Sequence, residues 1–496
     1  MSASLPSSPD RGLSRRDVIV LAMAVVVSLG LYLGSSALFY RIGFPLDDSW
    51  IHQTYARNLT MRGEWSFLPG MPSAGSTAPL WTALLSIGFI LHLSPYIWTY
   101  FLGGLLLFGI SLLVESLFRH TVPTYHSGIP WCGLLFIAEW HLAWAAFSGM
   151  ETVLHIFLIL LVVNLILTNS RSYLLAGIIT GLSVWVRPDG MTLLGPLVFA
   201  ILLAKSPGFI KLRGLINLAI GFGAFFLPYL LFNLAVSGTP MPNTFYAKQA
   251  EYASWQAIPF GERLFLFSLQ FFLGASFVLI PGFVSKIIAA VLQRNWGVLL
   301  TVVWVVGYIL LYLLRLPVYQ HARYLMPALA VFMVIGLKGF LENLALFRRP
   351  LLRMAGTISL FALIAALFVS DAYGTYTYGQ DVAYIESQMV DTANWVALNV
   401  PSNALVAAHD IGALGYFDHH KLVDLAGLIS PNVVPFINND DRLAAYMDSQ
   451  GVHYLIAFPG WRPALTIRGT QINVTASNYI SRNGLGNMTV YRWDKP

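Results

Sequence analysis

The chain has 496 residues, 57% of them hydrophobic and only 10% charged, with a net charge of +6 and a mean hydropathy of +0.67. A soluble globular chain carries about 25% charged residues, so soluble, fibrous and disordered classes are excluded and lipid is the solvent for most of the length. The positive excess does not signal nucleic acid: residues 1–374 hold 22 of the 29 Lys and Arg and 13 of the 23 Asp and Glu, and in a membrane segment Lys and Arg set orientation.

Residues 1–16 are polar and end in Arg11, Arg15 and Arg16. The apolar run Val18 to Tyr40 that follows is too long for a signal-peptide core and long enough to span, so an uncleaved first helix with a cytoplasmic N-terminus is expected. A polar loop covers 41–78. Apolar runs then fall at roughly 79–93, 96–118, 128–147, 151–168, 172–187, 190–204, 214–236, 264–285, 297–314, 324–342 and 352–371. The short basic interruptions at Lys205/Lys211/Arg213, Lys286/Arg294 and Arg348/Arg349/Arg353 belong to the cytoplasm. Arg119 and Arg171 fit the same side. Parity then requires about 11 membrane crossings, with run 79–93 re-entrant or interfacial. Cys132 is the single cysteine and sits in an apolar run, so there is no disulfide framework to read.

Charge returns from about residue 375. Segments 404–410, 421–427, 451–458 and 488–493 read as strands and 382–399 as an amphipathic helix. The chain thus divides into a transmembrane domain, 1–374, and an extracytoplasmic α/β domain, 375–496.

This topology gathers the polar motifs at the outer ends of the helices, whereas a transport path would spread them through the bilayer. Asp47-Asp48 is either a helix-capping turn or a functional pair, acting as general base or holding a divalent cation. Glu151 in Ser148-Gly149-Met150-Glu151 either complements a helix dipole or contributes a carboxylate. Glu139 either snorkels or pairs with His141. Arg187 pairs either with Asp189 or with a lipid-linked phosphate, which a guanidinium matches bidentately. Asn243, Tyr246 and Lys248 in Pro240–Lys248, and His321, Arg323 and Tyr324 in Tyr319–Tyr324, are either an interfacial anchor belt or substrate contacts. Together the cations Arg187, Lys248 and Arg323 facing Asp47, Asp48 and Glu151 suit transfer from a lipid phosphate. His409-Asp410 lacks the further ligands of a metal site. No P-loop, dinucleotide fingerprint, nucleophile elbow or zinc motif occurs.

Asp47-Asp48 with Ile51, Tyr55-Ala56-Arg57-Asn58 and Ser76-Thr77-Ala78-Pro79-Leu80-Trp81 resembles the first outer loop of GT-C fold glycosyltransferases. Ser148–Thr152, Arg187–Gly190, Pro242–Lys248, Arg323–Pro327 and Asp410–Leu428 resemble the arabinofuranosyltransferase-like branch, the relatives of the mycobacterial terminal β-(1→2)-arabinofuranosyltransferase. The resemblance runs in order along nearly the whole chain. It implies an integral plasma-membrane transferase that uses a polyprenyl-phosphate sugar at the outer face and an acid of the first loop as base. Asp47 matches the first acid of that motif and Asp48 the second. It also implies Tyr55 and Arg57 as substrate contacts, and His52 beside them is expected to be one too. His52, Gln53 and Ser73-Ala74-Gly75 depart from the family's usual residues, which leaves the sugar open between pentoses and hexoses. The acceptor stays open between a glycan, a lipid and a protein. The competing classes are a transporter or flippase of lipid-linked sugars, for which Glu115 is an isolated inner-end candidate, and a receptor-like module.

The orientation is checked by Ser449→Cys and Pro6→Cys in separate chains, labelled from outside the cell. Ser449→Cys is expected to label and Pro6→Cys to stay dark. Labelling of both, or of Pro6→Cys alone, overturns it.

Overall fold

The computed structural model describes residues 12–346, 349–479 and 486–493. Pro6, Arg11 and Arg348, on which part of the orientation argument rests, lie outside the described residues. Among the described residues, six helices are long and apolar enough to cross a membrane by length and composition, beginning with Arg15–Phe39. That helix starts on a capping box: the Asp17 amide donates to Ser14 Oγ at 3.2 Å, and the Ser14 amide donates to the Asp17 carboxylate at 2.9 Å. Five further apolar helices are shorter, 10–17 residues each. One of them, Pro79–Ile90, has 12 residues, which rise about 18 Å against a hydrocarbon core of about 30 Å.

Two apolar runs that read as single spans are interrupted, each for a local reason. Run 128–147 splits into Trp131–Ile137 and Trp140–Phe147 because Glu139 turns back to cap the second helix, accepting from the His141 amide at 3.3 Å. Glu139 also pairs with His141 Nδ1 at 2.7 Å, both side chains buried. Run 264–285 splits into Phe260–Phe271, Ala275–Val278 and Ile280–Gln293. Gly274, at φ +126°, makes that break.

Glu115 is not isolated. It accepts from Arg119 at 2.8 Å, from Tyr125 at 3.0 Å and from the backbone amides of Cys132 and Gly133 at 3.1 Å. Arg119 also reaches Asp17 at 3.0 Å, tying the first helix to Pro95–Thr121.

The polar stretch 41–78 is folded rather than open. It holds the helix Asp48–Arg62 and a small antiparallel pair, Ser66–Leu68 with Met71–Pro72. Trp50, Tyr55 and Phe67 of this stretch are fully buried. No apolar period marks this helix in the sequence because it is buried nearly all round: Trp50, Ile51, Tyr55 and Ala56 are interleaved with equally buried Ser49, His52, Gln53, Thr54 and Asn58.

The last long helix, Pro350–Ile385, does not stop near residue 375. It runs through a π-helical turn, Glu386–Val390, into Asp391–Asn399, so the expected amphipathic helix is its continuation. Beyond it, the described strands form one sheet in the order Lys421–Asp424, Leu405–Ala408, Tyr454–Ala457, Thr489–Trp493, Gly469–Val474. The first three are parallel and the last two antiparallel. Four of these are the strands expected from sequence. Gly469–Val474 was not, because it is a mostly exposed edge without apolar alternation.

The sheet unit packs on the stretch 41–78. Trp50 meets Tyr416 and Phe417 with ring centroids at 4.8 and 4.6 Å. Arg41 pairs with both Glu386 and Asp391 at 2.8 Å. The segment after the first helix is thereby clamped between the long helix and the sheet unit.

Candidate active site

A cavity of about 330 Å³ opens where the helix Asp48–Arg62, the start of Thr152–Leu167, the 3-10 turn Pro188–Leu193, the helix Asn243–Glu251 and the C-terminal end of Trp296–Leu313 converge. Leu428 of the sheet unit closes one side. Its charged lining is Asp48, Glu151, Asp189, Arg187, Lys248, Arg315 and Arg323, set among apolar groups such as Ile51, Met150, Met191 and Phe245. Groups from segments more than 250 residues apart in sequence therefore face one small volume.

Asp47 and Asp48 turn away from each other. Asp47 gives both carboxylate oxygens to the sheet unit, accepting from the backbone amides of Gly412 at 2.7 Å and Ala413 at 2.8 Å. These amides open the helix Gly412–Phe417, whose first N–H groups have no partner within the helix. A Cβ on Gly412 would lie 2.0 Å from the Asp47 carbonyl oxygen, so only glycine allows this approach. Burial and the nearby Asp410 charge push the Asp47 carboxyl up to about 7, against the pull of the two amides.

Asp48, by contrast, lines the cavity. Its Oδ2 lies 3.1 Å from Arg323 Nη2 and 3.7 Å from Lys248 Nζ. Burial would raise this carboxyl, but Lys248 and Arg323 overcome it and hold it below the ordinary aspartate value. The pair does not suit a shared divalent cation. Asp47 is already bound by amides and Asp48 by two cations, and no group of three or more His, Cys, Asp and Glu fit for a metal occurs among the described residues.

Glu151 sits at the start of Thr152–Leu167 and bridges two groups. Its Oε1 accepts from Arg187 Nη1 at 3.1 Å, and its Oε2 faces His52 Nε2 at 3.5 Å. The other nitrogen of His52 meets Ser76 and Thr82 hydroxyls at 3.1 and 3.3 Å. Arg187 has its remaining nitrogens on Asp189 Oδ1 at 3.3 Å and the Tyr312 hydroxyl at 2.8 Å. Tyr308 and Tyr312 both donate to the second Asp189 oxygen, Tyr312 at 2.6 Å. Both readings of Arg187 thus meet here: it is paired with Asp189, and it lines the cavity.

Arg323 is in a different state. The residue is 1% exposed, and only Nη2 is engaged, with Asp48 at 3.1 Å and the Tyr324 hydroxyl at 3.3 Å. Its Nε and Nη1 are buried without a hydrogen-bond partner, as is the hydroxyl of cavity-lining Thr244. A buried donor left unmade costs about 1–3 kcal/mol. The Tyr324 ring lies among three cations, 4.8 Å from Arg187, 5.2 Å from Arg323 and 5.6 Å from Lys248. It stacks on Tyr312 at 5.4 Å. The negative ring face holds the cations close together where they would otherwise repel.

The cavity brings together Asp48, His52, Glu151, Arg187, Lys248, Arg323 and Tyr324 of the sequence-derived candidates. It leaves out six. Asp47 faces the sheet unit. Tyr55 is occupied with Ser73 and Gly75, and Arg57 with the carbonyls of Gly415 and Tyr416. Asn243 is buried at a helix start, and Tyr246 points outward. His321 pairs with Asp381 at 2.7 Å. Tyr308 and Tyr312 were missed; their signal was the i, i+4 spacing of two hydroxyl groups at the end of an apolar run. His409 pairs with Glu251 at 3.3 Å and lies tilted against Trp461, with ring centroids 4.2 Å apart.

Comparison with known proteins gives the following. Residues 379–491 match a family model described as a domain of unknown function (DUF8728). No curated protein matches the chain. Among solved structures, ArnT from Cupriavidus metallidurans bound to undecaprenyl phosphate aligns with a TM-score of 0.55 at 13% identity, over 96% of this chain and 98% of that one. The Archaeoglobus fulgidus oligosaccharyltransferase aligns with a TM-score of 0.57 at 13% identity, over 94% of this chain and 75% of that one. The mycobacterial arabinofuranosyltransferase AftD aligns with a TM-score of 0.51 at 16% identity, over 99% of this chain but 42% of that one. All three are GT-C fold glycosyltransferases, and the likeness gives this chain their fold.

The Asp47 contact carries a pH signature. Its folded value of about 7 lies above the ordinary 3.8, so its contribution to stability is full below about pH 4 and is lost as pH rises through about 7. Asp47→Asn, shaped like the protonated form, is expected to flatten that part of the fall in thermal melting temperature between about pH 4 and 7. Identical pH profiles for the variant and the wild type would refute the assignment.

Proposed function

We propose that the chain is a membrane glycosyltransferase that moves a sugar from a polyprenyl-phosphate donor to an acceptor hydroxyl of a cell-envelope glycan, lipid or protein. On this reading the N-terminus is cytoplasmic, about eleven of the apolar runs cross the plasma membrane, and the unit beyond residue 375 works at the outer face. The observation that carries the reading is Arg323: a buried guanidinium with two free donors, beside a free Thr244 hydroxyl and Lys248, in a cavity of the right size for a phosphate and a sugar. That is the donor set of an oxyanion, and its costly unmade bonds are explained if a phosphate makes them. The fold is shared with a protein whose structure holds undecaprenyl phosphate.

The chemistry assigns the charges. In the donor, the phosphate is a diester with one negative charge. As the acceptor oxygen bonds to the anomeric carbon, the bond from that carbon to the phosphate oxygen breaks and its electron pair leaves with the phosphate. The departing monoester gains a second negative charge, which Arg323 and Lys248 stabilise in a low-dielectric setting. The acceptor proton goes to a carboxylate. Sequence favours Asp47 for this, but both of its oxygens are occupied by amides. Asp48 is the better base: its side chain is 29% exposed, against 3% for Glu151 and 8% for Asp189, and its cationic neighbours keep it ionised. Arg187, with its nitrogens engaged by Glu151, Asp189 and Tyr312, holds these carboxylates in place and shapes the sugar pocket. A transporter would need a polar path inward, and Glu115, its candidate, is bound up by Arg119, Tyr125 and two amides.

Two measurements test this. Arg323→Ala is expected to weaken undecaprenyl phosphate binding roughly 10- to 100-fold, the range for charge-assisted hydrogen bonds, with Arg323→Lys restoring only part. Arg187→Ala should weaken it less; the reverse order would put the phosphate on Arg187. Asp48→Asn should lower turnover roughly 100- to 10,000-fold while donor binding persists. Near-wild-type turnover of Asp48→Asn would return the base to Asp47 or Glu151.

A further inference from the structure

Gln320, His321 and Ala322 have φ values of 53°, 57° and 56°, three consecutive non-glycine residues in the left-handed region. Crowding of each Cβ against the backbone makes this unfavourable, and such residues persist only where their surroundings over-determine them. The surroundings here act on His321. Its Nε2 lies 2.7 Å from Asp381 Oδ2. Its ring stands edge-on to Trp140 and Trp144, with centroids at 5.6 and 5.2 Å. Asp381 is held in turn, because Trp144 Nε1 donates to the same oxygen at 3.1 Å. Trp140 is fixed by donating to the Leu273 carbonyl at 2.8 Å.

The turn ends at Arg323, whose amide donates to the Gln320 carbonyl at 3.2 Å. From there the side chain enters the cavity with Nε and Nη1 free. His321 itself does not line the cavity. A guanidinium fork binds an oxyanion directionally, so the backbone from which it springs decides whether its free edge meets the ligand.

We propose that His321 is a positioning residue: clamped by Asp381 and two tryptophans, it locks the left-handed turn that aims the free edge of Arg323 at the phosphate of a lipid-linked donor. This rests on the functional reading above, and it adds a second layer to the phosphate seat on the far side of the chain from the ligand. Without the clamp the turn relaxes toward ordinary backbone conformations. Arg323 then keeps its charge and loses its aim, both toward the ligand and toward Asp48. A ring that merely filled space would affect melting temperature and leave the affinity of the folded protein untouched.

The test uses the full chain in detergent micelles with undecaprenyl phosphate as the probe. His321→Ala should bind it about tenfold more weakly, the scale of one hydrogen bond to a charged group. His321→Gln, whose amide nitrogen still reaches Asp381, should recover most of that. Adding Ala322→Gly to His321→Ala should recover part of it without any contact to the lipid, because glycine takes the left-handed conformation freely. A second readout needs no ligand: the coupling between Asp48 and Arg323 in a double-mutant cycle of thermal unfolding should vanish in the His321→Ala background. Wild-type affinity and intact coupling in His321→Ala would overturn the proposal. Should that variant fail to fold, Asp381→Ala takes its place, with severalfold weaker binding expected and unchanged binding overturning the idea. If the wild-type chain does not bind undecaprenyl phosphate, the functional reading fails and the coupling cycle alone decides the role of His321.

Discussion

The contact between Asp47 and the amides of Gly412 and Ala413 joins groups 365 residues apart in the chain, and the geometry of the cavity depends on it. Neighbouring residues on a helix point about 100° apart. With Asp47 fixed on the sheet unit, Asp48 has one direction left, toward Arg323 and Lys248. The dipeptide is thus a division of labour rather than a shared charge. The first acid sets where the helix Asp48–Arg62 starts and how the sheet unit sits over it; the second faces the cavity. Gly412 is part of the same device, since any side chain there would push Asp47 away.

The charges around the cavity cannot be understood pair by pair. Taking a guanidinium out of water costs several kcal/mol even after relaxation, and the site contains Arg187 and Arg323, both buried. Arg187 is compensated by Glu151, Asp189 and Tyr312. Arg323 is compensated only on one edge, by Asp48 and Tyr324. The Tyr324 ring, between the two, lowers the repulsion among three cations, and its hydroxyl takes one donor from Arg323 Nη2 and one from Lys248. One arginine has all its nitrogens satisfied by the protein, and the other keeps two of its nitrogens without a partner.

Much of this was legible in the sequence. The first helix, the long spans and four of the strands follow from apolar run length and alternation. The meeting of Arg187, Lys248 and Arg323 with Asp48 and Glu151 follows from placing their motifs on one side of the membrane. What sequence could not supply was side-chain direction. Asp47 and Asp48 are equivalent in the sequence, and only the distant amides of residues 412 and 413 separate them. His321 looks like a ligand contact because it lies two residues from Arg323, yet it packs against Asp381, Trp140 and Trp144 while Arg323 lines the cavity. Tyr55 and Arg57 lie on the same helix as Asp48, but they point at Ser73 and at the carbonyls of the sheet unit. The helix Asp48–Arg62 escapes the periodicity argument because it buries polar and apolar residues together around most of its circumference.

The last long helix has a consequence of its own. It passes from the membrane part into the sheet unit through residues 350–399 without a linker, so the two parts share one screw axis. Inserting a single residue along it would rotate everything beyond by about 100° and raise it by about 1.5 Å, pulling Gly412 off Asp47. A deletion would do the same in the opposite sense. The length of this helix is therefore a gauge rather than a spacer. Loops elsewhere on the surface tolerate gains and losses of residues, whereas here the count is tied to the rotational phase of the whole sheet unit.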